Sequence, residues 1–310
     1  MQHFIRNLTI NFLLFFATIG SAEQMNCQNF GSIEFFTPSE TSVLKECLAN
    51  VEEQELTKIH SNGNTAIMNA VIADVNAVML ANLLSKYDED SLIELFQHRN
   101  FKELSVVHMA SVTQNAPSQL VTLKNFGADF NILRDKKEGY IYDRGVSALH
   151  YAISENAPSE NILALLALGV DPLRQDKRGN QAINHALSHN ADFEVLNILL
   201  TFTKKYYKND RGNSALHFAV QKIDDVQKLN LVFNSIDDGY YDELTSADES
   251  ILHLSAGSAT SKDVFDVVLK NSTSFACKED SKGARAIDYA RLNPNINSSP
   301  QVLTLQNMCN

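Results

Sequence analysis

The side chains of this sequence best suited to chemistry are its nine histidines and four cysteines. His185 and His189 stand four residues apart, the helical spacing at which two imidazoles can share one metal ion. No third ligand stands at motif spacing from them, so the structural reading takes precedence and no metal site is assigned. His60 and His98 read as surface residues. No phosphate-binding glycine loop, nucleophile elbow or paired-cysteine zinc motif occurs. The sequence therefore offers no catalytic residue, and no cofactor is expected.

Four further histidines belong to a repeat. Seven variants of one hexapeptide start at Thr65 (TAIMNA), Ser105 (SVVHMA), Ser147 (SALHYA), Gln181 (QAINHA), Ser214 (SALHFA), Ser250 (SILHLS) and Arg285 (RAIDYA). The later copies recur about every 33 to 36 residues, the period of a stacked helical array. Ser or Thr in first place can cap a helix by accepting a backbone N–H. The third and sixth residues then share one helical face. His108, His150, His217 and His253 all fall in fourth place, and His185 in fifth, where its equivalents are Tyr151 and Phe218. A second apolar run follows each hexapeptide, as in Ile162 to Leu168, closed by Gly169. A turn such as Asp176-Lys177-Arg178-Gly179 leads into the next copy.

This unit resembles the ankyrin repeat, whose pattern is G-x-T-P-L-H-x-A, a leucine-rich helix, then G-A-D-x-N. Gly145 to Pro172 carries most of it, and Asn125 to Asn131 closes the preceding repeat in the same style. The likeness covers roughly residues 62 to 308. It implies an all-α solenoid of about seven helix-turn-helix repeats. The motif proline is absent from every copy, replaced by Ala66, Val106, Ala148, Ala182, Ala215, Ile251 and Ala286. Met68, Asn184 and Asp288 replace the motif histidine, so those three repeats should lack its bond to the neighbouring turn. Extra residues are expected around 88–100 and 132–143.

Residues 1–22 read as a cleavable signal segment: Arg6, an apolar run from Leu8 to Ile19, then small residues at Gly20-Ser21-Ala22. The run is shorter than the ~20 apolar residues of a spanning helix. Residues 23–61 form an N-terminal part, extended or irregular to residue 36. A capping helix then starts at Thr37-Pro38-Ser39-Glu40, and 62–310 form the repeat domain. The net charge of −11 argues against nucleic acid and anionic membranes as partners. It tips the balance toward a basic partner, with the alternative that the acidity serves solubility. Cys27 and Cys47 lie near one end of the array, Cys277 and Cys309 near the other. Three connectivities are open, as is a set of free thiols. The grouping suggests Cys27–Cys47 and Cys277–Cys309, each holding a terminal unit that lacks one neighbour.

The resemblance places binding on the turns and first helices. Six of the nine tyrosines fall just before those turns. The candidate edge is Tyr142, Arg144, Lys177, Arg178, Tyr207, Arg211 and Tyr241, with the alternative that the phenols pack between turns. The expectation is an exported, periplasmic or secreted monomer that binds a protein. A toxin or envelope enzyme is the kind of partner expected, and the chain would be its inhibitor or immunity protein. The alternatives are a protective scaffold for an envelope enzyme and a secreted host-directed effector.

Overall fold

The computed structural model describes residues 27, 29–37, 41–135, 144–202 and 208–309. The expected signal segment, Tyr142 and Tyr207 lie outside these residues.

Each hexapeptide opens an inner helix, and an outer helix returns antiparallel behind it. The inner helices are α4 (Ala66–Ile72), α7 (Val106–Ala110), α9 (Ala148–Ser154), α11 (Ala182–Ser188), α13 (Ala215–Lys222), α15 (Ile251–Ser258) and α17 (Ala286–Leu292). Their outer partners are α5 (Ala77–Leu84), α8 (Ala116–Asn125), α10 (Ser159–Ala167), α12 (Phe193–Phe202), α14 (Val226–Ser235), α16 (Lys262–Asn271) and α18 (Pro300–Met308). Inner helices stack on inner helices and outer on outer, giving two layers. The reason is visible in the hexapeptide. Its third residue is at most 3% exposed in every copy (Ile67, Val107, Leu149, Ile183, Leu216, Leu252, Ile287). Its sixth is Ala or Ser and is equally buried, so a small side chain lets neighbouring inner helices close in. Burying one such Leu or Ile contributes roughly 1.5–3 kcal/mol, and the array repeats that gain along its length. The second residue is buried too, so Ala and Val fit where the ankyrin pattern has proline.

The turns share one construction. Asp176 Oδ1 accepts the amides of Arg178 and Asn180, and Asn209 Oδ1 accepts those of Arg211 and Asn213. Asp280 does the same for Lys282 and Ala284. Asn100 does so for Lys102 and Leu104. Adjacent turns are joined backbone to backbone: Asp210 N–H to Arg178 O (2.9 Å), Ser246 N–H to Arg211 O (3.0 Å) and Ser281 N–H to Ala247 O (3.0 Å). Gly212 makes that approach feasible. Its φ is +73°, and a Cβ there would lie 2.7 Å from the Ser246 nitrogen.

The extra residues take two forms. Glu89–Gln97 is an additional helix, α6, and Arg134–Asp135 (β1) pairs antiparallel with Arg144–Val146 (β2). The N-terminal part corrects the expectation of an irregular chain up to residue 36. Ile33–Phe36 is a helix, α1, capped by Ser32 Oγ, which accepts the Phe35 N–H at 3.2 Å. It packs on α4 in the place of an inner helix. Thr41–Asn50 (α2) packs on α5 in the place of an outer one, and Glu53–Thr57 (α3) follows. Cys27 is bonded to Cys47, with Cα atoms 5.6 Å apart, and Cys277 to Cys309, 5.2 Å apart.

Candidate functional site

In three repeats a histidine in the fourth hexapeptide position ties the inner helix to the turn of the next. In Ser147, Ser214 and Ser250, the backbone N–H and the hydroxyl both approach the imidazole Nδ1 three residues on. The Nε2–H then donates across the repeat: His108 to Val146 O (3.0 Å), His217 to Glu243 O (3.2 Å) and His253 to Lys278 O (3.0 Å). Burial pushes His108 and His217 down to about 4. His150 is the exception. Its Nε2 is buried and makes no hydrogen bond of full geometry, with only a weaker interaction toward the Asn180 backbone in the next turn. Burial, and then the neighbouring His185, push it down to about 3. In two of the repeats without histidine, Asn184 Oδ1 and Asp288 Oδ2 accept the capping N–H instead, each at 2.9 Å. His98 is not a loose surface residue, since its Nε2 donates to Gly63 O at 2.8 Å.

The fifth position faces the space between inner helices and turns, and there the chain forms two clefts. The N-terminal cleft, about 630 Å³, is lined by Ile33, Ile72, Leu104, Met109, Val112 and Tyr151, with amides from Asn62, Asn64 and Asn100. Its polar side is an amide ladder. Asn100 Nδ2 donates to Asn64 Oδ1 (2.9 Å), and Asn64 and Asn62 both donate to Asn69 Oδ1 (2.8 and 3.0 Å). Asn69 Nδ2 in turn donates to Gly31 O (2.9 Å).

The central cleft, about 790 Å³, lies in repeats three to five. Its floor is Ser154, His185, Ser188, His189, Phe218, Gln221 and Lys222, and its wall is the turns 176–180 and 209–213. Lys177, Arg178, Arg211 and Lys222 meet there, against the carboxylates of Asp176 and Asp210. Asp176 is engaged at the base: His185 Nε2–H donates to Oδ2 at 3.0 Å. Burial pushes the Asp176 carboxyl up, but the His185 bond and the Asn180 and Arg178 amides outweigh it and bring it to about 2. Ser154 Oγ lies 3.2 Å from the other ring nitrogen of His185.

Serine, histidine and aspartate in a line could serve acyl transfer. Recurrence assigns the line to structure instead. Tyr289, in the fifth position of the last repeat, donates to Asp280 Oδ2 at 2.6 Å, and Asp280 holds its turn as Asp176 does. A protonated phenol cannot take a serine proton, so the role common to both pairs is to hold the turn against its inner helix. The Asp280 bond holds Tyr289 up to about 12.

Of the proposed edge, Lys177, Arg178 and Arg211 come together in the central cleft. Arg144 contributes backbone to β2, and its side chain lies outside the described residues, as do Tyr142 and Tyr207. Tyr241 turns inward. Its hydroxyl donates to Phe233 O at 2.7 Å, and its ring stands edge-on to Phe233 at 5.2 Å. Sequence reasoning missed Lys222 and the amide ladder. The nine-residue interval from turn carboxylate to ring, 176 to 185 and 280 to 289, was a readable signal for the turn ties.

Stacked helix pairs, capped turns and a cleft between them define an ankyrin-type solenoid. Residues 149–200 match the sequence profile described as ankyrin repeats in many copies. The human ASB11 ankyrin repeat domain superposes with a TM-score of 0.59 at 16% identity, covering 77% of this chain and 96% of that one. A chain from the complex of the Bdellovibrio bacteriovorus predatory endopeptidase Bd0816 with the immunity protein Bd3460 superposes with a TM-score of 0.51. Its identity is 16%, with 64% of this chain and 96% of that one covered. No curated protein matches by sequence. The profile matches part of the chain, and the described residues share the ankyrin-repeat fold. Arrays of this kind are protein–protein interaction modules, typically without catalysis.

Proposed function

We propose that this chain is an exported, non-catalytic protein that binds a protein partner through the central cleft and blocks it. It would act as an inhibitor or immunity protein toward a toxin or envelope enzyme, in the periplasm or outside the cell. One observation carries the reading. Four cationic side chains from two successive turns and one inner helix meet in one cleft of about 790 Å³, within the ~300–1,000 Å³ typical of binding clefts. Arg and Lys so placed make poor core residues and good contacts for a docked chain. The likeness to a chain of the endopeptidase–immunity protein complex supports the inhibitory role. Two disulfides suit an oxidising compartment. No described helix is long and apolar enough to cross a membrane.

The test is capture from a periplasmic extract of the producing cells, followed by titration of the captured protein's activity with the purified chain. Stoichiometric inhibition that disappears with Arg211→Glu is expected. A captured partner whose activity the chain leaves unchanged would reject inhibition and favour the scaffold reading.

A further inference from the structure

Resting on the reading of the central cleft as the partner-binding surface, we infer that the partner inserts an acidic, extended chain segment into it. Its carboxylates would be held by Arg178, Arg211 and Lys222. The whole-chain charge points the other way, and distance decides between the two. Of the described acidic residues only Asp176 and Asp210 line the cleft, and at physiological salt a charge beyond the Debye length of about 8 Å is largely screened. A carboxylate seated about 4 Å from a guanidinium interacts several times more strongly than it would in bulk water, with two parallel N–H···O bonds available. Of the two carboxylates that line the cleft among the described residues, Asp176 already accepts His185 and three donors of its own turn. Local charge therefore favours an anion.

The spacing selects a chain rather than a single anion. Arg178 and Arg211 occupy the same place in consecutive turns, two residues after Asp176 and Asn209, whose side chains accept the turn amides. Backbone bonds from Asp210 to Arg178 and from Ser246 to Arg211 fix the turns side by side. Stacked helices repeat at about 8–10 Å, so these cations recur at about the length of three extended residues. An extended segment with a carboxylate at every third residue matches that interval. Lys222, on the inner-helix side of the cleft, can take a carboxylate from below.

The probe is a fluorescein-labelled (Glu-Gly-Gly)₄ peptide, with (Lys-Gly-Gly)₄ and a twelve-nucleotide thymidine strand as comparators. Fluorescence anisotropy with the full chain is read at low and physiological salt. We expect the glutamate peptide to bind. Arg211→Glu/Lys222→Glu should weaken it at least tenfold, Arg211→Gln/Lys222→Gln less, and Lys102→Glu in the N-terminal cleft less than twofold. Circular dichroism of each variant separates lost binding from lost folding, and the Gln pair serves where the Glu pair fails to fold. Equal affinity for wild type and both folded double variants overturns the inference. So does tighter binding of the lysine peptide or of the thymidine strand. If the peptide fails while a captured protein still loses affinity with Arg211→Glu, the acidic segment is wrong and the cleft reading stands.

Discussion

The N-terminal and central clefts are built from the same parts and differ in what fills the fifth hexapeptide position. Around the first it is Asn69, Met109 and Tyr151; around the second it is His185 and Phe218. Asn69 and His185 both reach back to their own turns, but by different chemistry. Asn69 gathers neutral amides from Asn62 and Asn64, whereas His185 donates to a carboxylate. The buried third and sixth positions scarcely change between the two regions. The scaffold is thus set by one group of positions, and the character of each cleft by another.

That division can be attacked first where it should cost most. Asn69→Ala strips three hydrogen bonds from buried or half-buried partners and leaves the Gly31 carbonyl without its donor, so a loss of about 3 kcal/mol is expected in urea unfolding. A loss under 1 kcal/mol would show that the ladder is decoration.

The next effect follows pH. The folded pKa of His150 is depressed to about 3 from an ordinary 6.5, so the unfolded chain binds a proton that the folded chain refuses. Stability from this group is complete above pH 6.5 and is lost as pH falls toward 3, at on the order of 1 kcal/mol per pH unit. His108 and His217, at about 4, act in the same direction. His150→Asn, which copies the residue at position 184, should keep the capping bond and flatten the slope of the unfolding midpoint between pH 6.5 and 4. An unchanged slope would contradict the assignment.

The smallest effect is expected at His185→Phe, because Phe218 already fills that place in the next repeat. Asp176 would keep its amide donors from Arg178 and Asn180, so about 1 kcal/mol is expected. The Asp176 carboxyl should titrate above its present value of about 2, read by carbon NMR. A loss as large as that from Asn69→Ala would erase the difference between the two regions.

What the sequence disclosed follows the same division. The third and sixth residues of the hexapeptide repeat locally, so the stacked array is legible without coordinates. Lys177, Arg178 and Arg211 were legible because Gly179 and Gly212 mark their turns. The Asn ladder was not, since its bonds join residues such as Asn69 to Gly31 and Asn100 to Asn64 across whole repeats. Tyr241 shared its sequence setting with the other turn tyrosines. Yet a short 3₁₀ turn over Asp238–Tyr240 precedes it, and its hydroxyl reaches Phe233, eight residues back. The helix Ile33–Phe36 escaped notice because Glu34 and Thr37 occupy the places that are apolar and small in the other copies.

The two disulfides carry a consequence for how the chain reaches this structure. They join residues 20 and 32 apart, each pair confined to one end of the array. A pairing between the ends would have to close a loop around every repeat, at an entropic disadvantage of about 2 kcal/mol by the logarithmic dependence on loop length. Oxidation therefore sorts itself by proximity. Each end can find its partner thiol before the middle repeats have stacked, and the folding array inherits correct termini without needing a shuffling step.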